Sequence, residues 1–129
     1  VLWACEFATN PALGKKAKLP FSKDSRDCWI YVDDVAEQFV RLALKEKLSH
    51  FAYNNGGHSV TAEELMQTVQ RIVPDAEYEF DESVSRTALI DRCDSSRLEE
   101  EIGFVPRSLE EGVRTQIEEA RNRQLQINY

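Results

Sequence analysis

The chain has 129 residues, of which 42% are hydrophobic and 30% are charged, and its formal net charge is −7. This length and composition are typical of one globular domain and argue against extensive disorder. The acidic balance argues against nucleic-acid binding, which needs a clustered excess of Lys and Arg. No apolar run approaches the roughly 20 residues that cross a bilayer, so we expect a cytoplasmic protein without a membrane partner.

The first part of the chain predicts a helix followed by an extended piece. Residues 1–9 are typical of the end of a helix, which the turn signal Asn10-Pro11 would close. We assign this helical start to residues 1–13. Residues 18–21 then favour a short extended segment.

The stretch WIYVDDVAE begins with a strand pattern and ends with two aspartates. Residues 29–32 carry apolar side chains on both faces, which is typical of a buried strand. Asp34 can cap a following helix, and Glu37 can complete a capping box, so the strand would end because a helix begins. An acid and base pair made by Asp33 and Asp34 is the alternative reading. The helix would bury an apolar stripe of Val35, Phe39 and Leu42, supplemented by Val40, Ala43 and Leu44.

The middle of the chain predicts a strand, a turn and a second helix. Residues 51–54 favour a short strand, and residues 55–58 a glycine-containing turn in which Asn54 and Asn55 are structural. Thr61 and Glu64 form a capping box at the start of a helix that ends before a proline. Its apolar stripe is Leu65, Val69 and Ile72.

The last third predicts one strand and two helices. Ala76, Tyr78 and Phe80 alternate with glutamates, as in a strand with one wet face. One helix would run from an Asp94 cap to Gly103. The other would begin at a capping box of Ser108 and Glu111 and bury Leu109, Val113, Ile117 and Ala120.

Strands and helices therefore alternate along the chain. This order predicts an α/β or mixed α+β fold with a small sheet and packed helices. We expect one domain over residues 1–129, with its core in residues 26–122 and a frayed tail over residues 123–129.

The usual signals of a self-sufficient enzyme do not occur in the sequence. The five glycines match neither a dinucleotide-binding fingerprint nor a P-loop, and no tyrosine is followed four residues later by lysine. His50 and His58 lie eight residues apart without ligands at metal-binding spacing, so no metal site is predicted. We interpret both histidines as exposed loop residues, although a spatial pairing with Cys or Ser stays open.

Five short motifs occur in an order that is similar to a known enzyme family. They are W-I-Y-V-D-D-V-A at 29–36, Y-N-N-G-G-H-S-V-T at 53–61, D-S-S-R at 94–97, I-G-F-V-P at 102–106 and S-L-E-E-G at 108–112. Together they resemble the C-terminal portion of the extended short-chain dehydrogenases/reductases, the NAD(P)-dependent nucleotide-sugar epimerases and dehydratases.

The resemblance implies a substrate-binding part of a Rossmann-like enzyme. In that family, the glycine fingerprint and the catalytic Tyr-x-x-x-Lys pair lie upstream of the matching region. NAD or NADP would therefore bind in the missing half, and this chain alone would hold no cofactor and be catalytically inactive. A nucleotide sugar, or another small carbonyl or hydroxyl compound, would be the substrate.

The resemblance also implies two substrate-binding arginines. Arg26 is nearest to the family arginine that pairs with a substrate diphosphate, although Cys28 displaces the match by one residue. Arg86 is nearest to a second family arginine and is displaced by two residues. The alternative for Arg26 is a loop arginine beside Asp24 and Asp27.

Two hypotheses follow from these observations. The chain is the substrate-binding part of such an oxidoreductase, or it is a stand-alone interaction or regulatory module descended from one. The first predicts an exposed apolar seam that the missing half or self-association would cover, and the second predicts none. Our candidates for the seam are Trp3, Phe7, Trp29 and Tyr31, with a place in the core as their alternative.

Overall fold

The computed structural model describes residues 2–84 and 92–127, in which five helices alternate with four short strands. In chain order the elements are α1 (Leu2–Ala12), β1 (Ala17–Leu19), β2 (Arg26–Trp29), α2 (Val32–Ala43), β3 (His58–Thr61), α3 (Ala62–Ile72), β4 (Tyr78–Phe80), α4 (Ser96–Ile102) and α5 (Leu109–Ile127). Strand β1 runs parallel to β4, and β2 runs antiparallel to β3. The predicted mixed α/β class is confirmed, with the strands in two separate pairs. Within the described residues, no helix has the length and apolar character needed to cross a membrane.

The main core lies among α1, α3, α5 and the β1–β4 pair. Phe7 is at its centre, with its ring 5.8 Å from the ring of Trp29 and 5.3 Å from the ring of Tyr78. The other buried members are Ala8, Ala12, Leu19, Phe21, Ala62, Leu65, Val69, Ala76, Val113, Ile117 and Ala120. Phe7 is therefore a core residue and was wrong as a candidate for an exposed seam, whereas the side chain of Trp3 lies outside the described part of the chain.

Two of the three predicted capping boxes are confirmed, those that begin at Thr61 and at Ser108. The Thr61 hydroxyl accepts from the Glu64 N–H at 3.1 Å, while the Glu64 carboxylate accepts from the Thr61 N–H at 2.7 Å. Ser108 and Glu111 make the same reciprocal pair at 3.3 and 2.9 Å. Each box satisfies N–H groups that the first turn of a helix leaves free, which is why α3 and α5 begin where the sequence predicts.

Helix α1 does not end at Asn10-Pro11 as predicted, because Pro11 lies inside the last turn of the helix. A proline has no N–H to donate to the carbonyl four residues earlier, which here belongs to Phe7. The Tyr78 hydroxyl donates to that carbonyl at 2.6 Å and replaces the missing bond. The helix ends instead before Gly14, whose φ of 70° suits a left-handed residue after a helix.

The strand predicted at residues 29–32 lies three residues earlier, at Arg26–Trp29. The ladder with its partner β3 ends where Trp29 pairs with His58, so it does not extend to Tyr31. A side chain at Gly57 would meet the Trp29 carbonyl oxygen at 2.4 Å, so this close approach needs a glycine. Strand β3 was missed because its residues were assigned to a turn and a helix start.

The predicted capping role of Asp34 is wrong. Tyr31 is the N-cap residue of α2 and makes no side-chain cap, while Asp34 lies within the first turn and is buried. Glu37 bonds the Arg41 guanidinium at 2.6 Å instead of reaching back to the helix start. The aspartate is therefore held by a partner elsewhere in the fold, described below.

The predicted orientation of α2 is only partly confirmed, because Val35 and Leu42 of the predicted stripe are half-buried while Phe39 faces outward. Phe39 and Val40 are 68% and 52% exposed, and Leu44 directly after the helix is 79% exposed. The buried residues of the helix are Asp34 and Gln38. Helix α2 packs against α4, and its side with Phe39 and Val40 is exposed.

Residues 51–54, predicted to be a strand, belong to neither strand pair.

At the C-terminus, α5 continues to Ile127, so residues 124–127 are helical and not a frayed tail. Gln and Leu are good helix formers, which favours this extension although the last turns are exposed. The N-cap of α4 is Ser95, one residue after the predicted Asp94, and its end at Gly103, with φ 61°, is confirmed.

Candidate functional site

A cavity of about 830 Å³ lies between α1, β2 and α5. Its wall combines apolar side chains from the main core with a polar end at the start of α5. The polar and aromatic residues that matter for its chemistry are Trp29, Tyr31, His58, Arg107, Gln116 and Glu119. A concave apolar site with a few polar groups is a common form of binding site.

The polar end is organised by an ion pair between Asp34 and Arg107. The Arg107 Nε lies 2.9 and 3.1 Å from the two carboxylate oxygens, and the Arg107 backbone N–H donates to the same carboxylate at 3.0 Å. The Asp34 side chain is only 5% exposed. This contact explains the second aspartate of WIYVDDVAE, because it fixes the start of α2 against the segment before α5.

Tyr31 lies under the same arginine. The Arg107 guanidinium stands 4.5 Å above the Tyr31 ring, and the Tyr31 hydroxyl donates to Glu119 at 2.7 Å. Burial first, and then the bond to the Glu119 carboxylate, raise the pKa of Tyr31 to about 12. The phenol therefore stays protonated near neutral pH and acts as a donor that ties the start of α2 to α5.

His58 is not the exposed loop residue that the sequence suggested. It is the half-buried first residue of β3, and its Nε2 lies 2.8 Å from the Arg107 carbonyl oxygen. His50 does lie in an exposed loop, where its ring contacts the ring of Tyr53. No nucleophile is paired with either histidine in the hydrogen bonds that the structure describes.

Arg26 lies apart from the cavity, at the start of β2. Its guanidinium donates to the Ser59 carbonyl at 2.9 Å and lies 3.7 Å from the Glu64 carboxylate. Arg86 lies outside the described residues. The predicted substrate-binding role of both arginines stays a prediction.

The described tyrosines are poorly suited to proton transfer near neutral pH. The pKa of Tyr78 is raised by burial, and the pKa of Tyr53 is raised by burial and by its bond to Glu101. A catalytic acid or base works best when its pKa is close to the working pH. Over the two described ranges, no group of three His, Cys, Asp or Glu side chains is arranged to hold a metal ion.

Sequence reasoning missed the residues that build this site. Asp34 and Gln38 lie four residues apart on α2, and the buried Gln38 accepts from the Asn55 side chain at 2.6 Å. This helical spacing of two polar residues was the only signal, and Asp33, Glu37 and Arg41 on the same helix obscured it. Arg107 carried no such signal, because its partner is 73 residues away in the sequence.

Several solved structures have a fold similar to that of this chain. L-threonine 3-dehydrogenase from Trypanosoma brucei superposes with a TM-score of 0.76 at 21% identity, over 92% of this chain and 39% of the enzyme. UDP-glucose 4-epimerase from Thermotoga maritima superposes with a TM-score of 0.72 at 21% identity, over 96% of this chain and 40% of the enzyme. UDP-glucuronic acid 4-epimerase from Bacillus cereus, in complex with UDP-glucuronic acid and NAD, has a TM-score of 0.72 at 16% identity. The match covers 91% of this chain and 40% of the enzyme.

The chain has the fold of part of these enzymes. It spans about 40% of the length of each, and the matching part is the C-terminal one. The predicted resemblance to epimerase and dehydratase enzymes is thereby confirmed for the fold. No protein-family model matches the sequence, and no curated protein matches it.

Proposed function

We propose that the chain is the substrate-binding part of an NAD(P)-dependent epimerase/dehydratase-like oxidoreductase and is catalytically incomplete alone. The observation that carries this proposal is the fold likeness over about 90% of the chain to a C-terminal portion of such enzymes. Two of these enzymes have structures solved with a UDP-sugar. A nucleotide sugar is therefore the substrate class that we propose.

The chemistry of the chain supports the proposal that it is catalytically incomplete alone. Hydride transfer needs a nicotinamide held against the substrate, and the sequence has no glycine fingerprint to hold one. Tyr31, Tyr53 and Tyr78 all have raised pKa values, so none of them is tuned for proton transfer. NAD or NADP would be bound by a missing dinucleotide-binding half.

The exposed surface supports a part of an enzyme over a stand-alone module. Such a module would cover its large apolar side chains, whereas Phe39 and Leu44 are mostly exposed and Phe51 is fully exposed. These exposed side chains on α2 and at Phe51 support the apolar seam that the first hypothesis expects, whereas the candidate Phe7 lies in the core.

Titration calorimetry tests the proposed function directly. NAD, NADP and UDP-glucose are titrated into the purified chain. We expect no stoichiometric binding of either dinucleotide and weak binding of UDP-glucose. Tight stoichiometric binding of NAD or NADP, or turnover of UDP-glucose by the chain alone, would contradict the proposal.

A pair of variants tests the proposed diphosphate contact. Arg26→Ala should weaken UDP-glucose binding by about tenfold, which is the loss expected for a charged hydrogen bond to phosphate. Arg71→Ala is the matched control, because Arg71 is also a half-exposed arginine bonded to a glutamate. Equal affinities of the two variants would remove Arg26 from the site.

A further inference from the structure

Two adjacent residues of α2 compete for one inward position. Gln38 is 2% exposed, whereas the next residue, Phe39, is 68% exposed. Consecutive residues of an α-helix lie about 100° apart around its axis. A rotation of α2 by that angle would give each residue the place of the residue before it. Phe39 would then lie inward in the place of Gln38, and Gln38 would take the half-exposed place of Glu37.

The observed orientation of α2 leaves a buried donor unpaired. The Gln38 side-chain oxygen accepts from the Asn55 side chain at 2.6 Å. The Gln38 Nε2 is also buried, but it has no hydrogen-bond partner in the described part of the chain. A buried donor without a partner destabilises a fold, and an exposed phenyl ring contributes no burial. Both effects favour the rotated orientation over the observed one.

The contact between Asp34 and Arg107 opposes the rotation. The Asp34 carboxylate accepts from the Arg107 Nε at 2.9 and 3.1 Å and from the Arg107 backbone N–H at 3.0 Å. In the rotated orientation Asp34 would take the exposed place of Asp33, and these bonds would be broken. Breaking a buried charge pair is costly, since the remaining charge keeps no counter-ion. The Asp34–Arg107 contact therefore holds α2 in an orientation that Gln38 and Phe39 both disfavour.

The packing around α2 gives the helix room to rotate. Among the described elements, α2 packs mainly on the short helix α4, whereas α3 buries Leu65 and Val69 in the main core. We propose that the Asp34–Arg107 contact is a latch, and that α2 rotates by one residue and brings Phe39 inward when this latch is broken. The latch thus couples the orientation of α2 to the charged end of the cavity, where Arg107 lies.

Thiol modification of the 129-residue chain tests the rotation. Ala43→Cys is the reporter, because Ala43 is exposed and would take the half-buried place of Leu42. Asp34→Ala breaks the latch from one side, and Arg107→Ala breaks it from the other. Peptide mapping separates the thiol at position 43 from the three native cysteines.

In both latch variants, we expect the modification rate at position 43 to fall by about threefold, as it would if about two-thirds of the molecules held α2 rotated. Local unfolding of α2 would raise this rate instead, so the direction of the change separates the two events. Glu37→Ala is the matched control, because it breaks a half-exposed pair with Arg41 on the same helix. It should change the rate by less than about 1.5-fold, as expected for a surface pair that does not orient the helix.

A second substitution tests the part played by the unpaired donor. Gln38→Leu removes the buried Nε2 and places an apolar side chain inward, so the observed orientation no longer carries that cost. Asp34→Ala combined with Gln38→Leu should therefore return the rate at position 43 to within about 1.5-fold of the native rate. Gln70→Leu on α3 is the matched control, because the Gln70 Nε2 does donate to the Ala76 carbonyl at 3.1 Å. Combined with Asp34→Ala, it should leave the protection in place.

Two results would overturn the inference. The first is an unchanged or raised modification rate at position 43 in both latch variants. The second is protection in the Asp34→Ala chain that Gln38→Leu does not remove, since the thiol would then be covered by something other than the rotation.

Discussion

Helices α2 and α3 have similar lengths and are both amphipathic, yet they turn opposite sides toward the rest of the molecule. In α3, Leu65 and Val69 are buried in the main core. In α2, Phe39 and Val40 point outward, and Asp34 and Gln38 are buried. A helical period therefore shows which side of a helix is apolar, while the neighbours present in the same chain decide whether that side is covered.

The difference has a physical cause in the polar groups of α2. A buried carboxylate or amide is tolerated only where it finds hydrogen-bond partners. Arg107 supplies them to Asp34, and Asn55 donates to the Gln38 side-chain oxygen, while the buried Gln38 Nε2 has no partner within the described residues. These contacts hold Asp34 and Gln38 inward. Phe39 and Val40, on the other side of the helix, stay exposed because no described element packs on them.

The largest expected contrast comes from the same substitution in the two regions. Leu65→Ala should lower the free energy of unfolding by about 3 kcal/mol, because Leu65 is buried in a packed core. Leu44→Ala should change it by less than about 0.5 kcal/mol, since Leu44 is mostly exposed. Urea denaturation of the isolated chain measures both. Equal losses would mean that the outer side of α2 is already covered in solution.

The next contrast concerns the charge that orients α2. Asp34→Asn should lower the free energy of unfolding by about 2 kcal/mol, because it leaves the partly buried Arg107 without its counter-ion. Glu37→Gln on the same helix should cost less than about 0.5 kcal/mol, since its pair with Arg41 is half-exposed. Urea denaturation again provides the measurement, and similar values for both variants would contradict the orienting role.

A smaller effect is expected in the main core, where Tyr78 replaces the helix bond that Pro11 lacks. Tyr78→Phe should cost about 1 kcal/mol by leaving the Phe7 carbonyl without its donor. In a Pro11→Ala background the new N–H can donate to that carbonyl, so Tyr78→Phe should cost less. A double-mutant cycle measures this coupling, and additive effects would disprove it.

The smallest effect concerns acid stability beside α2. The bond from Tyr53, with others from Lys45 and Ser49, lowers the pKa of Glu101 from 4.5 to about 2. A lowered carboxyl pKa in the folded state adds stability that is complete above about pH 4.5 and is lost as the pH falls toward 2. The melting temperature of Glu101→Gln should therefore fall less steeply across this range than that of the native chain. Glu46→Gln, in the exposed loop, should keep the native slope.

The sequence predicted the elements whose signals are local. The capping boxes at Thr61 and Ser108 depend on residues three positions apart, and the buried stripe of α3 depends on one helical period. The capping boxes and the stripe could therefore be predicted without knowledge of the rest of the chain.

The features that were missed depend on contacts between distant residues. Strand β3 exists because it pairs with β2, which is about 30 residues earlier. The role of Asp34 depends on Arg107, and a capping role was the simplest local explanation of the same aspartate. The candidate site was missed for this reason, since its polar end joins Tyr31 and Asp34 at the start of α2 to Arg107 just before α5.

The Asp34–Arg107 contact also affects the order in which the protein can fold during synthesis. Domains generally fold from the N-terminus as they leave the ribosome. Helix α2 leaves the ribosome long before Arg107, so its polar side has no counter-ion while its apolar side is already available. A nascent chain at this stage should therefore hold Asp34 without its counter-ion, and the polar side of α2 should become fixed only when Arg107 and the start of α5 emerge.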